Sequence, residues 1–249
     1  MSLGHGASTV RSGLVLHLDA ANPKSYSGSG TAWTDMSGNS NTGTLTNGPT
    51  YSSANAGSLV FDGINNYVAT PTSGSILAFP DTTFTISVWI KTSMTGYSTT
   101  PGILIASKDY TFSGAGWGFG LGYPGYNGST VYGFFASVKA TGGYFVNYTS
   151  STTAVNDGKW HNLVAVITTS TTIQANNINI LYLDGNLISV NTFSNGSLYL
   201  APTLAVDICR RSTGNYFAGN LSQISIYNSA LSATEVRQNF EALRGRYGI

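Results

Sequence analysis

The chain has 249 residues and a net charge of +1, and only 8% of its residues are charged, against about 25% in an average globular domain. So few Lys and Arg residues exclude the basic surface on which non-specific nucleic-acid binding depends. A hydrophobic content of 41% excludes a disordered chain. No apolar run approaches the ~20 residues of a membrane helix, so we expect no membrane insertion.

The first eleven residues, MSLGHGASTVR, lack any alternation of apolar and polar side chains. They also lack the apolar stretch of a secretory signal. We predict a flexible arm over residues 1–11 and one domain over residues 12–249. The arm is either a frayed terminus or an anchor that binds a neighbouring protein, with Leu3 and Val10 as its apolar contacts.

Alternation with a period of two dominates the rest of the chain. The run Leu14–Asp19 alternates leucine with other residues and predicts a half-buried strand on which His17 is partly exposed. Similar runs predict strands at Ser58–Asp62, Phe84–Lys91, Gly102–Ser107, Gly116–Gly122, Thr130–Val138, Tyr144–Tyr148, Trp160–Thr168, Asn179–Leu183, Leu187–Thr192, Ala205–Cys209 and Leu221–Tyr227. Many short strands of this kind are typical of a sandwich or a barrel. Asp184-Gly185 predicts a tight hairpin turn, because both residue types tolerate positive φ.

One helix is predicted, close to the C-terminus. Ser232 and Glu235 have the spacing of a capping box, in which each side chain accepts a hydrogen bond from the other residue's backbone. An apolar stripe follows at Val236, Phe240 and Leu243. This stripe predicts a helix that packs on the sandwich and ends at Gly245.

Several motifs are more specific than periodicity alone. They are Gly13–Pro23 with Trp33–Asn39, Leu59–Gly63, Gly158–Val164, Leu183–Gly185 and Phe217–Glu235. Together they resemble the laminin-G-like branch of the concanavalin A-like lectin/glucanase superfamily, over nearly the whole chain. The resemblance implies an all-β fold, a two-sheet antiparallel jelly-roll sandwich with one short C-terminal helix. It also implies loop-fixing carboxylates at Asp19, Asp35 and Asp62, and edge loops that often bind glycans in relatives.

The opening motif and the closing segment, residues 240–248, are further similar to laminin-G-like proteins of tailed phages. This narrower resemblance implies a virion structural protein, either a capsid or head decoration or a fibre component. Its partners would be other virion proteins and copies of itself, with cell-surface carbohydrate as a further ligand. The alternative is a free or surface-attached carbohydrate-binding module or adhesin.

The sequence predicts no enzyme and no catalytic residues. Retaining glycosidases need two carboxyl groups about 5–5.5 Å apart. Glucanases that resemble this fold carry Glu-x-Asp-x-Glu on one strand, whereas both glutamates here, Glu235 and Glu241, lie in the predicted helix. No Gly-x-Ser-x-Gly nucleophile motif occurs either.

A candidate glycan site follows the unusual run Gly116–Gly122, in which every second residue is glycine. Its large side chains must face the core, so the opposite face is bare backbone that either accepts an aromatic ring or forms a shallow groove. Tyr123 and Tyr126 follow at a turn, with Asp109 nearby, and sugars stack on such rings. A protein–protein contact explains the tyrosines equally well.

A candidate metal site consists of Asp35, Asn39 and Asn41, which are hard oxygen ligands of the kind that calcium prefers. The same residues beside Gly38 also suit a turn in which they bond their own backbone. Zinc is excluded by the lack of paired cysteines or histidines, and no other cofactor is predicted. Cys209 is predicted to be buried and unreactive.

Overall fold

The computed structural model describes residues 8–71, 83–95, 103–108, 116–122, 132–139, 145–168, 177–193, 205–211 and 214–249. Within these ranges two antiparallel eight-stranded sheets pack face to face. The strands of the first sheet are β1 Leu14–Asp19, β4 Thr50–Ser52, β5 Ser58–Asp62, β7 Thr83–Lys91, β12 Trp160–Thr168, β13 Asn177–Leu183, β14 Asn186–Phe193 and β18 Ala218–Tyr227. Those of the second are β2 Ala32–Trp33, β3 Gly43–Thr46, β6 Tyr67–Ala69, β8 Ile103–Lys108, β9 Gly116–Leu121, β10 Phe134–Lys139, β11 Phe145–Ser150 and β15 Val206–Ile208. Two short strands, β16 Arg210–Arg211 and β17 Gly214–Tyr216, form a separate hairpin.

The first sheet has the strand order β14-β13-β12-β7-β18-β5-β4, and β1 also pairs with β18. Strand β18 therefore has β7 along one edge, and β5 followed by β1 along the other. The second sheet has the order β11-β10-β9-β8-β15-β6-β3-β2. Both sheets join strands that are distant in sequence, and the predicted all-β sandwich is confirmed.

The main core lies between the two sheets. On β7 the alternate residues Phe84, Ile86, Val88 and Ile90 face inward and are fully buried. The three large side chains of β9 pack in the same core as these residues, as the glycine-rich run predicted. On the opposite face of β9, Phe135 of β10 is paired with Gly120 and is fully buried. At Gly120, therefore, the bare backbone lies opposite an aromatic residue, which agrees with the first of the two alternatives at this position.

A smaller core lies on the outer face of the first sheet, beneath helix α1 (Ala233–Tyr247). The capping box is confirmed, because Ser232 and Glu235 exchange both hydrogen bonds. The helix runs through the predicted end at Gly245 and stops at Gly248, whose φ of 74° suits a C-cap glycine. Burial of Tyr247 on the sheet outweighs the weak helix propensity of Gly245. No helix in the described part of the chain is long and apolar enough to span a membrane.

Two features of β1 differ from the sequence prediction. All six of its residues are buried, because α1 and the loop after β2 cover the face that was expected to be exposed. His17 is consequently only 7% exposed, and its Nδ1 lies 2.9 Å from the Ser225 hydroxyl. Burial lowers the pKa of His17 below its ordinary value. Periodicity cannot reveal such a cover, because the covering residues are distant in sequence.

The last residues of the predicted arm pack on the domain itself. Val10 donates its N–H to Asn239 of α1 at 2.7 Å, and its carbonyl accepts the Tyr227 hydroxyl at 3.2 Å. Its side chain packs against the apolar residues under the helix. Val10 is thus occupied within its own chain rather than free to contact a neighbour. Leu3 lies outside the described residues, and an anchoring role for the arm stays a prediction.

Candidate functional site

Asp35 and Asn41 come together in the turn that follows β2, whereas the exposed Asn39 donates its side-chain amide to the Leu14 carbonyl at 3.2 Å. The Asp35 carboxylate accepts four hydrogen bonds: from the N–H groups of His17 and Ser37 on Oδ1, and from the Ser37 hydroxyl and the Asn41 N–H on Oδ2, at 2.7–2.9 Å. The side-chain amide of Asn41 then donates to the Val15 carbonyl at 2.8 Å. Both oxygens of the one carboxylate are engaged by the protein, which favours the turn interpretation over a calcium site. Across the described ranges, no group of three or more His, Cys, Asp or Glu is arranged to hold a metal ion.

Asp62 and Asp19 also fix loops, as the resemblance implied. One oxygen of Asp62 accepts the N–H groups of Ile64, Asn65 and Asn66 at 2.8–3.2 Å. Slight burial raises the pKa of Asp62, but these hydrogen bonds outweigh that effect and hold the pKa below its ordinary value.

The Asp19 carboxylate accepts the Ala21 N–H at 3.0 Å and both of its oxygens lie within 3.0 Å of Arg246 Nη1. It therefore joins the end of β1 to the end of α1.

A charged cluster that the sequence did not predict lies at the start of β12. His161 Nδ1 lies 2.8 Å from Asp184, and Nε2 lies 3.1 Å from Asp157. Burial lowers the pKa of His161, but hydrogen bonds and charge from the two carboxylates outweigh it and the pKa is raised. The imidazole therefore binds both carboxylates, one through each ring nitrogen.

A groove of about 270 Å³ opens at the end of the first sheet, beside this cluster. Its lining comes from three separate parts of the chain, at Lys91–Met94, Gly158 and Ala218–Asn220. Lys91 of β7 lies directly opposite Asn220 of β18, so both side chains are on the outer face of the sheet. A Cβ on Gly219 would lie 2.6 Å from the Lys91 carbonyl, so the close approach of the two strands requires glycine there.

Hydrogen bonds hold the walls of the groove in place. The Thr92 hydroxyl donates to the Ala218 carbonyl at 2.7 Å and accepts the Met94 N–H at 3.0 Å. The Gly158 N–H donates to the Thr92 carbonyl at 2.9 Å, which joins the loop before β12 to the loop after β7. The groove is therefore preformed. Sequence reasoning missed it because the three segments are far apart in the sequence, and only the packing of the strands brings them together.

The predicted glycan residues Asp109, Tyr123 and Tyr126 lie outside the described residues. Cys209 is fully buried, as predicted, and desolvation raises the pKa of its thiol well above the ordinary value. A thiol that stays protonated and inaccessible is a poor nucleophile.

The profile of the family described as the concanavalin A-like lectin/glucanases superfamily, Laminin_G_3, matches residues 62–237. No curated protein sequence matches the chain.

Solved structures with the same fold include a domain of an arabinanase and the binding domains of two other proteins. Domain 4 of AbnA, a GH43 extracellular arabinanase from Geobacillus stearothermophilus solved with arabinotriose, has a TM-score of 0.64 and 13% identity, over 91% of this chain and 97% of that one. The binding domain of Paraclostridial Mosquitocidal Protein 1 has a TM-score of 0.64 and 15% identity, over 92% of this chain. The binding domain of botulinum neurotoxin DC, solved with SialylT, has a TM-score of 0.65 and 13% identity, over 94% of this chain. The chain spans about half the length, 52%, of each of these two toxin domains.

Proposed function

The chain belongs to the concanavalin A-like lectin/glucanase superfamily, and we propose that it is a non-enzymatic carbohydrate-binding domain. The observation that carries the proposal is the preformed groove at the end of the first sheet. Its lining combines hydroxyl, amide and ammonium groups with the apolar surface of Met94 and Ala218. Sugars present hydroxyl groups and an apolar C–H face, which such a mixed surface complements.

The solved structures support a binding role. The arabinanase domain bound to arabinotriose corresponds to this chain over almost its full length. The carboxylates described above support the absence of catalysis, because Asp19, Asp35 and Asp62 are engaged in fixing loops and Asp157 and Asp184 share His161. Glycoside hydrolysis needs one carboxylic acid and one carboxylate that both reach the same glycosidic bond.

Affinity electrophoresis tests this function. We expect the protein to be retarded in native gels that contain at least one of arabinan, β-glucan, agar, pectate, alginate or carrageenan, and to release no reducing sugar from any of them. Bovine serum albumin run in the same gels is the control for non-specific retardation. Unchanged mobility in every gel would contradict the binding role. Sugar release that an Asp→Asn change at Asp19, Asp35, Asp62 or Asp109 abolishes would contradict the absence of catalysis.

We further propose that this binding domain is a structural protein of a tailed-phage virion, as a capsid or head decoration or a fibre component. The resemblance of the opening motif and of residues 240–248 to such proteins supports this setting. Its partners there are other virion proteins and copies of itself, and host-surface glycan is the ligand of the groove.

Mass spectrometry of purified virions tests the virion setting. We expect peptides of this chain in particles banded on a density gradient, at many copies per particle. Washing the particles at high salt should leave these peptides in place, whereas a contaminating host protein should decline. Peptides found only in the soluble fraction of the lysate would favour the free carbohydrate-binding module instead.

A further inference from the structure

We propose that the groove binds an anionic sugar residue, whose carboxylate or sulfate group pairs with the ammonium of Lys91. This inference rests on the proposed carbohydrate-binding function and adds the charge class of the ligand. It also identifies the residue that selects that charge.

The charge of the groove points to an anion. Among the described residues that line it, Lys91 alone is charged. Lys91 is exposed and forms no ion pair with another described side chain, whereas the neighbouring Lys159 lies 3.5 Å from Asp157 and Arg246 lies 2.9 Å from Asp19. An uncompensated cation in a groove attracts anionic ligands. One ammonium balances one negative charge.

Two further polar groups in the groove favour a sugar over a simple inorganic anion as the ligand. The Ser93 hydroxyl and Oδ1 of Asn220 have no hydrogen-bond partner among the described residues, although both residues line the groove. A hydroxyl can donate or accept, and an amide oxygen accepts from the hydroxyl of a sugar. A small inorganic anion would need several donors around it, whereas this groove presents one cation, one hydroxyl and one acceptor.

The positions of these groups are set before a ligand binds. The Asn220 amide nitrogen donates to the Ser58 hydroxyl at 3.0 Å, which orients the amide group. The antiparallel register places Lys91 next to Asn220, and the bonds of Thr92 hold the wall that carries Ser93. Preorganisation of this kind reduces the entropy lost on binding. A volume of about 270 Å³ is close to the lower end of small-molecule pockets, about 300 Å³, and suits one sugar ring.

The test compares acidic polysaccharides with neutral ones in affinity gels. We expect retardation by pectate or alginate, which carry carboxylates, or by carrageenan, which carries sulfates, to be at least about tenfold stronger than by carboxyl-reduced pectate, arabinan or β-glucan. Which of the acidic gels retards the protein identifies the anionic group. Lys91→Met should weaken the acidic interaction about tenfold, and Lys91→Arg should retain it. Lys159→Met is the matched control, because it also removes one positive charge, from a lysine that is already paired with Asp157. Its retardation, measured as the mobility in each gel relative to that in a gel without polysaccharide, should equal that of the parent protein.

A second variant tests the location. Ser93→Trp fills the groove with an exposed side chain, so it should abolish retardation while leaving the melting temperature unchanged. Retardation that is equal in acidic and neutral gels, or that survives both Lys91→Met and Ser93→Trp, would overturn the anionic-sugar site but leave the carbohydrate-binding function standing. No retardation in any gel would overturn both. Melting curves of each variant exclude misfolding as the cause.

Discussion

Replacing Trp89 with alanine should lower the free energy of unfolding by about 3–5 kcal/mol, the usual cost of removing a large buried aromatic side chain. Trp89 is 1% exposed, on the outer face of β7. Its ring stacks on Tyr247 with a centroid distance of 4.0 Å and an interplanar angle of 15°, and on Phe240 at 5.7 Å. The substitution therefore leaves a cavity under α1 and removes two ring contacts.

Urea denaturation followed by circular dichroism measures this change. Leu187→Ala is the control, because Leu187 is an apolar residue of the same sheet that is 57% exposed, and its truncation should cost less than about 0.5 kcal/mol. A loss below about 1 kcal/mol for Trp89→Ala would mean that the helix is not held to the sheet by this stack. Stabilisation of the fold would then come almost entirely from the core between the sheets.

Replacing Asp35 with alanine should cost about 3 kcal/mol or more. The substitution leaves the buried N–H groups of His17 and Asn41 without their acceptor, at about 1–3 kcal/mol each. Asp157→Ala is the matched control, because its side chain is 39% exposed and an ion pair in such a position contributes about 1 kcal/mol or less. The free energies of unfolding of both variants, measured in urea, give the comparison.

Melting of the unmodified protein in a calcium chelator distinguishes the turn role of Asp35 from a calcium-binding role. We expect a calcium chelator to leave the melting temperature unchanged, because the four hydrogen bonds of the carboxylate are made within the chain. A melting temperature that falls in chelator and recovers with added calcium would contradict the turn interpretation, because an ion that binds only the native state stabilises it. A modest loss for Asp35→Ala, similar to that of Asp157→Ala, would contradict the structural role itself.

Local patterns predicted the elements that local interactions stabilise. The strand Trp160–Thr168, the Asp184–Gly185 turn and the Ser232 capping box all occur where the sequence placed them. At the turn, Asp184 and Gly185 have φ values of 50° and 74°. Several strands of two to four residues were missed, including β3 and β6, because so few residues show no periodicity. They form because neighbouring strands of the sheet supply their hydrogen bonds.

The sequence by itself determined the fold class, the low surface charge and the burial of the alternating apolar residues, because each depends on residue type and spacing along the chain. Only the tertiary structure decided what covers the outer face of the first sheet and where a ligand fits. The burial of His17, the stack on Trp89 and the groove at Lys91 and Asn220 all join residues more than a hundred positions apart. Contacts at such separation depend on how the sheets and the helix pack, and no local pattern in the chain records them.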